Sequence, residues 1–303
     1  MPSDALRALS PVAVIGPGRV GRTLAVALRQ LGAEVVLGVR PEIAAAAARS
    51  QDGLPQTTAT DAATGATLVI LCVQDDQLPT LITDLAAQDA FDAGQTVVHT
   101  AGVDGPGLLT PAAATGACTV ACHPVASFTY DLALNLDRLP GTVWGITGDS
   151  GGRAAGRRLA ELLGGHAMDV PENGRARYHA ALVLAANGAA ALAATAADLL
   201  RAGGVIDPAE LLSRLIHTSI DSALTTGQAG LSGPWVRGDG RTVAMHLEAL
   251  ERRHKVQNVY AALARLVGDR AASAGRLDTE TRRRIEAALD ERMDELDHDE
   301  RAG

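Results

Sequence analysis

Gly16, Gly18 and Gly21 stand in the order Gly16-Pro17-Gly18-Arg19-Val20-Gly21, the spacing G-x-G-x-x-G. They follow the β-branched run Val12 to Ile15 and open the helical pattern Arg19 to Leu31, which Gly32 stops. In that setting the first glycine allows a tight turn and the second lets backbone approach a pyrophosphate. The third permits close helix–sheet packing, and the free N–H groups of the helix start face the phosphates. A strand-to-helix turn that binds nothing would carry the same three glycines. The next strand, Glu34 to Val39, ends at Arg40 with no carboxylate before Glu42. An NAD site usually presents an acid there to the ribose hydroxyls, whereas an arginine suits a 2′-phosphate through charge-assisted bonds. The expected cofactor is therefore NADP(H). Gly16, Gly18, Val20 and Gly21 lie under it, Arg40 holds the phosphate and Arg19 assists. A solvated strand-end charge is the alternative for Arg40.

Hydride addition to a C=O bond leaves an alkoxide, which needs a proton or hydrogen-bond donors. His123 ends the strand "CTVAC" and precedes Pro124. It can donate near neutral pH, or it can simply bind the local turn. Ser127 and Phe128 follow closely enough to line the same pocket. Arg237, in "GPWVRGD", could clamp a substrate carboxylate through its two-pronged head. Its neighbour Asp239 is expected to cap the next helix. Cys118, Cys122 and His123 do not make a metal site, because alternate residues of a strand point to opposite faces. No metal is expected. Lys255, the only lysine, sits in a basic helix start, poorly placed for catalysis.

The elements that must position these groups alternate. Strands are expected at Val12–Ile15, Glu34–Val39, Leu68–Val73, Thr96–His99, Cys118–Cys122, Thr142–Thr147 and His166–Val170, with helices between them. Ile43 to Arg49 reads as helix, and Asp75 or Asp76 as a cap for the helix after "LVILCV". Beyond Val170 the pattern is helical: Asn173–Ala202, a helix opened by Asp207-Pro208, then Arg241–Arg253, Lys255–Val267 and Thr279–Leu296. From Asp290 the charged end reads as a solvated helix. The fold class is α/β, a Rossmann-like, mostly parallel sheet followed by an all-α C-terminal domain. The expected domains are 1–171, which binds NADP(H), and 172–303, for substrate and dimerisation.

The chain has 303 residues, 47% hydrophobic and 20% charged, so a packed core is expected. Aromatics are only 2%, which makes that core aliphatic. A net charge of -8 argues against a nucleic-acid partner. Three cysteines, an odd count, fit a reducing compartment. No apolar signal core opens the chain and no apolar run is read as long enough to span a membrane, so a cytoplasmic protein with no membrane partner is expected.

The segments "VAVIGPGRVG", "LVILCVQDD", "VVHTAG", "CHPVASF", "RYHAALVLAANG" and "SGPWVRGD" together resemble a family of bacterial proteins. These have a Rossmann-like domain followed by a helical domain of unknown function, and are relatives of pyrroline-5-carboxylate reductase and the β-hydroxyacid dehydrogenases. The resemblance spans about residues 11–267. It implies an NADP-dependent oxidoreductase acting on a small 2-oxo acid. One branch resembles an alternative class of ketopantoate reductase, which makes 2-dehydropantoate the first candidate and an imino acid the second. A non-catalytic NADP(H)-binding sensor or scaffold is the rival reading. Val73, Gln74, Thr100 and Ala101, which follow the next strands, become further cofactor contacts. Two of them depart from the family's habit: Gln74 replaces a proline, and Ala101 a serine. The long helix from Arg175 resembles one that carries a lysine and, four residues later, an asparagine. Asn187 matches the asparagine, but Val183 stands at the lysine. His179, another four residues back, lies on roughly the same face and is a replacement donor. Asn187 is then an orienting group, or a buried amide bonded between helices. Tyr178 is expected to pack. Such second domains pair with their twin, so a homodimer is expected.

Overall fold

The computed structural model describes residues 9–250, 253–287 and 289–290. The chain divides into two compact units, Met1–Ala186 and Asn187–Gly303. The change of character in the sequence lies earlier, at Pro171.

The first unit is a mixed sheet with helices on both faces. Its strands are β1 (Val12–Ile15), β2 (Val35–Val39), β3 (Gln56–Thr58), β4 (Leu68–Leu71), β5 (Thr96–His99), β6 (Cys118–Pro124), β7 (Val143–Gly148) and β8 (His166–Asp169). They lie in the order β3-β2-β1-β4-β5-β6-β7-β8. All neighbours are parallel except β6 and β7, where His123 stands opposite Gly145. The crossing helices are α1 (Arg19–Gln30), α2 (Pro41–Ala46), α3 (Ala59–Ala63), α4 (Leu78–Ala87), α5 (Thr110–Ala113), α6 (Leu132–Arg138) and α7 (Ser150–Leu162).

Period-two alternation explains why both faces are covered. Val12 and Val14 of β1 pack with Leu24 and Leu28 of α1 in one core, while Ala13 and Ile15 join Val69, Leu71 and Ile82 in the other. Trp144 is fully buried in the first core. The aliphatic character foreseen from composition holds throughout.

Some local expectations fail for physical reasons. β3, Gln-Thr-Thr, is a half-buried edge strand without an apolar run, so no periodicity marks it. The helix expected at 43–49 begins instead at Pro41 and ends at Ala46. Neither Asp75 nor Asp76 caps the following helix. They lie inside a single tight turn, and Gln77 stands at the helix start with no side-chain bond.

The helical stretch beginning at Glu172 is not uniform. After a short turn come α8 (Arg175–Val183), a π-helical turn at Leu184–Gly188, and α9 (Ala189–Ala202). Taken as one helix, Glu172–Ala202 has mean hydropathy 1.7 over its most apolar window, none of which is buried. Length and composition alone would let it cross a membrane, contrary to the expectation that no run is long enough.

The second unit continues with α10 (Pro208–Thr226), α11 (Pro234–Arg237), α12 (Gly240–Ala249), α13 (His254–Ser273) and a helix at 279–287. It holds no strand among the described residues. Asp207 caps α10 through the Glu210 amide, and Asp239 caps α12 through the Thr242 amide at 3.0 Å. Val236, Val243, Leu247, Ala261, Ala264 and Leu277 form its core. The continuation expected to Leu296, and nearly all of the solvated end from Asp290, lie outside the described residues.

Candidate active site

The carboxyl ends of β1, β4, β5 and β6 share one edge of the sheet, where ligands of open α/β folds bind. Gly16 turns the chain there with φ +87°, and a Cβ on it would meet Val73 Cγ1 at 2.7 Å. Gly18 has nothing within 4 Å of where its Cβ would stand, so the backbone is open to a ligand. Gly21 packs tightly against the Gly16 carbonyl and Cys72, as a third glycine should. The first turn of α1 has no side-chain cap and no acidic residue. Its amides and the positive end of the helix dipole are left for an anion.

Beside the loop runs a groove of about 840 Å³, lined by Gly16, Gly18, Arg40, Thr60, Val73 and Gln74 among others. Arg40 is exposed at its rim and meets Glu42 at 3.4 Å. Five residues expected around a dinucleotide therefore come together. Arg19 points elsewhere: its Nη1 donates to the Phe128 carbonyl at 3.2 Å, and its guanidinium lies 5.3 Å from the Tyr130 ring centre. Val20 packs against the core. Thr100 donates to the Leu71 carbonyl at 3.4 Å. Ala101 is buried, and its carbonyl accepts from Arg175 Nη2 at 2.7 Å.

A second cluster forms where α8 meets the ends of β5, β6 and β7. His123 Nδ1 lies 2.9 Å from the Tyr178 hydroxyl. The His123 and His179 rings meet edge to face at 5.6 Å. Close packing explains the small residues opposite. A side chain at Gly145 would collide with Tyr178, and one at Gly102 with His179. Tyr178 therefore does more than pack.

Burial, then the neighbouring His179, Arg175 and His99, push His123 down to about 4. With that shift it is a neutral imidazole at pH 7. Burial likewise pushes His99 down to about 4, despite its bond from Nε2 to the Gly105 carbonyl at 3.1 Å. Tyr178 is raised by burial, with Arg175 opposing. Asp75 is raised by burial and by Asp104, with His179 opposing.

Of the remaining expected residues, Ser127 belongs to the first unit, and Asn187 and Arg237 to the second. Ser127 is exposed in the loop after β6. Asn187 is exposed in the π-helical turn, so it is not a buried amide within this chain. The wider turn also interrupts the regular step assumed from His179 through Val183 to Asn187. Arg237 is exposed at the end of α11. Among the described residues no His, Cys, Asp and Glu group could hold a metal, and Cys122 is a buried thiol pushed up to about 12.

Arg175 and His99 were missed by sequence reasoning. His99 carried no signal beyond ending a strand. Arg175 did: it stands three and four residues before Tyr178 and His179, on the same helix face.

Comparison with known proteins divides the chain at a different place, ahead of β7. Residues 2–124 match a Rossmann-like domain, and residues 142–267 match a domain of unknown function, DUF2520. Among curated proteins, no sequence matches the chain. Solved structures do. A Thermotoga maritima protein is 21% identical with a TM-score of 0.63, over 87% of this chain and 99% of that one. A candidate NADP oxidoreductase of Bacteroides fragilis is 20% identical with a TM-score of 0.68, over 85% and 97%. An imine reductase of Myxococcus stipitatus, solved with NADP+, is 18% identical with a TM-score of 0.65, over 88% and 95%. At such identities the likeness is one of fold.

Proposed function

We propose that this Rossmann-like, DUF2520-containing protein is an NADP(H)-dependent reductase of a small 2-oxo acid, with 2-dehydropantoate the first candidate. The carrying observation is the Tyr178–His123 pair, set at the same sheet edge as an open glycine loop. The groove fits the cofactor: an uncapped helix start for its pyrophosphate and Arg40 for its 2′-phosphate. Its fold is shared with a candidate NADP oxidoreductase and with an imine reductase solved with NADP+.

When bound, the nicotinamide supplies a hydride to the substrate carbon. The chain's own residues handle the proton. As the C=O electron pair moves onto oxygen, the Tyr178 hydroxyl gives its proton to that oxygen. Neutral His123, with its proton on Nδ1, donates to the tyrosinate left behind. The Arg175 cation stabilises the same negative charge, and solvent later returns the proton to Tyr178. Arg175 has no carboxylate partner among the described residues, which favours an anionic acceptor. Ser127, His179, Asn187 and Arg237 remain candidates for substrate contact in the assembled protein.

A second reading, reduction of an imino acid, is favoured by the imine reductases that share the fold. NADPH oxidation, followed against a panel of 2-oxo acids and cyclic imines, separates the two. Preferential turnover of 2-dehydropantoate supports the first. Turnover of imines alone supports the second, and tight NADPH binding with no turnover points to the sensor.

The protein acts as a homodimer in the cytoplasm on this reading. Leu184 and Leu224 are 73% and 82% exposed on the long helices, with Leu192, Leu211 and Leu215 also uncovered. A second copy is the occupant that suits them. Alanine-rich helices let backbones approach closely, and the faces also carry Asn187 and the Arg201–Asp198 ion pair at 2.8 Å, ill suited to lipid.

A further inference from the structure

Arg175 is among the largest fully buried side chains, with 1% of its surface exposed. A buried guanidinium is costly unless its donors are met. Nη1 donates to Thr147 Oγ1 at 3.0 Å, and Nη2 to the Ala101 carbonyl at 2.7 Å, while Nε has no partner. Thr147 is itself fixed, donating to the Val170 carbonyl at 2.6 Å. The two acceptors belong to β7 and to the segment after β5, the strands on either side of the one that carries His123. Arg175 occupies the first turn of α8, and its Cζ lies 5.9 Å from the Tyr178 ring centre.

We propose that Arg175 is the positioning residue of this site: it clamps the first turn of α8 across the ends of β5 and β7 and so holds Tyr178 on His123. This rests on the reductase reading for its kinetic consequence, though not for its structural one. A lysine could carry the same charge, but its single head cannot span two acceptors on separate strands. The charge also acts on the pair. The groups that face His123 are Tyr178, His179 and Arg175 of α8 and His99 of β5. Arg175 adds to the burial and the His179 charge that keep His123 neutral, and it opposes the rise that burial gives Tyr178. Clamp and charge thus make separable contributions.

The test uses the full-length protein and its Arg175→Lys, Arg175→Met and Thr147→Val variants. Ring NMR of 13C/15N-histidine protein, with His123 assigned through His123→Gln, reads the His123 titration without any substrate. Steady-state NADPH oxidation reads kcat and KM. Arg175→Met should raise the His123 titration somewhat above about 4, with burial and His179 still holding it below the ordinary 6.5. It should also lower kcat about 100-fold, the scale of a misplaced catalytic group. Arg175→Lys should keep the low titration yet lose kcat about tenfold. Thr147→Val, which removes one acceptor and leaves the cation, should do the same more weakly, with KM for NADPH unchanged in all three. A merely structural arginine would lower the melting temperature of all three variants and leave titration and kcat of the folded protein as in the wild type. That result overturns the proposal. If Arg175→Met does not fold, an unchanged kcat in Thr147→Val overturns it equally. If the wild type reduces nothing, the reductase reading fails; the His123 titrations still decide the charge, and the His123 Nδ1 shift, which reads its bond to Tyr178 and should move in Arg175→Lys and Thr147→Val, still decides the clamp.

Discussion

The two units bury apolar surface in different ways. In the first, β1 and β4 are continuous apolar runs, and helices on both faces of the sheet cover every one of their side chains. Val12, Val14, Ile70 and Leu71 retain no more than a trace of exposure. In the second, α9 and α10 keep leucines in the open, Leu224 at 82%. The inner strands of the first unit are covered within one chain, whereas the long helices of the second leave leucines exposed. A site built on the sheet can be rigid for that reason, since its residues stand on strands whose cores are already closed. A site contributed by the helices has to wait for whatever covers them.

The sharpest way to break this comparison is to charge the open faces. Leu224→Glu combined with Leu215→Glu should turn a dimer into a monomer, raising the dissociation constant about 1,000-fold or more. Two buried leucines contribute roughly 1.5–3 kcal/mol each, and a buried unpaired carboxylate costs more. Sedimentation analysis checks it. A wild-type monomer, or a double variant that still dimerises, would mean that something else covers α9 and α10. Sheet-unit stability should hardly change.

A smaller effect tests the closed unit. Tyr178→Phe keeps the ring packed against Gly145 and removes only the hydroxyl, so kcat should fall about 100-fold with KM for NADPH unchanged. Single-turnover NADPH oxidation reads the chemical step directly.

Next comes pH. His99 and His123 sit near 4 in the folded sheet unit, below their ordinary value of 6.5. Between those limits the unfolded chain binds more protons than the folded one, so the stability is fully present above pH 6.5 and is lost as pH falls towards 4. Each shift corresponds to about 3 kcal/mol at most. Thermal melts at pH 7 and pH 5 should show a lower melting temperature at pH 5, and His123→Gln should blunt the drop. A melting temperature independent of pH across this window would contradict the burial of both rings.

The smallest effect belongs to Glu42. Its ion pair with Arg40 is exposed on both sides, and such pairs contribute about 0–1 kcal/mol. Glu42→Gln should tighten NADPH by no more than about fivefold in a fluorescence titration.

How much of this was legible in the sequence follows the same division. β1 was readable to the residue because it is written as an unbroken apolar run, and β5 likewise from its buried Val97 and Val98 between Thr96 and His99. β3 was not, since an edge strand of Gln-Thr-Thr needs no such run. The antiparallel pairing of β7 with β6 is a matter of connection, which periodicity does not record. The glycine loop and Arg40 were legible because backbone geometry and charge dictate residue type there. Tyr178 and Arg175 were harder. Their work depends on which strands lie under the first turn of α8, and that is fixed only by the fold. Asn187 reads as buried because it is an amide in an apolar run, whereas the chain by itself leaves it exposed.

The account depends above all on the open glycine loop and Arg40 receiving a phosphorylated dinucleotide. Isothermal titration of the wild type and of Arg40→Ala with NADPH and with NADH tests this directly. The account predicts a 1:1 complex with NADPH, tighter than NADH by about 10–100-fold, and a preference largely lost in Arg40→Ala, as expected from charge-assisted bonds worth roughly 1.5–3 kcal/mol. No detectable NADPH complex, or an equal affinity for both cofactors that Arg40→Ala leaves unchanged, would contradict it.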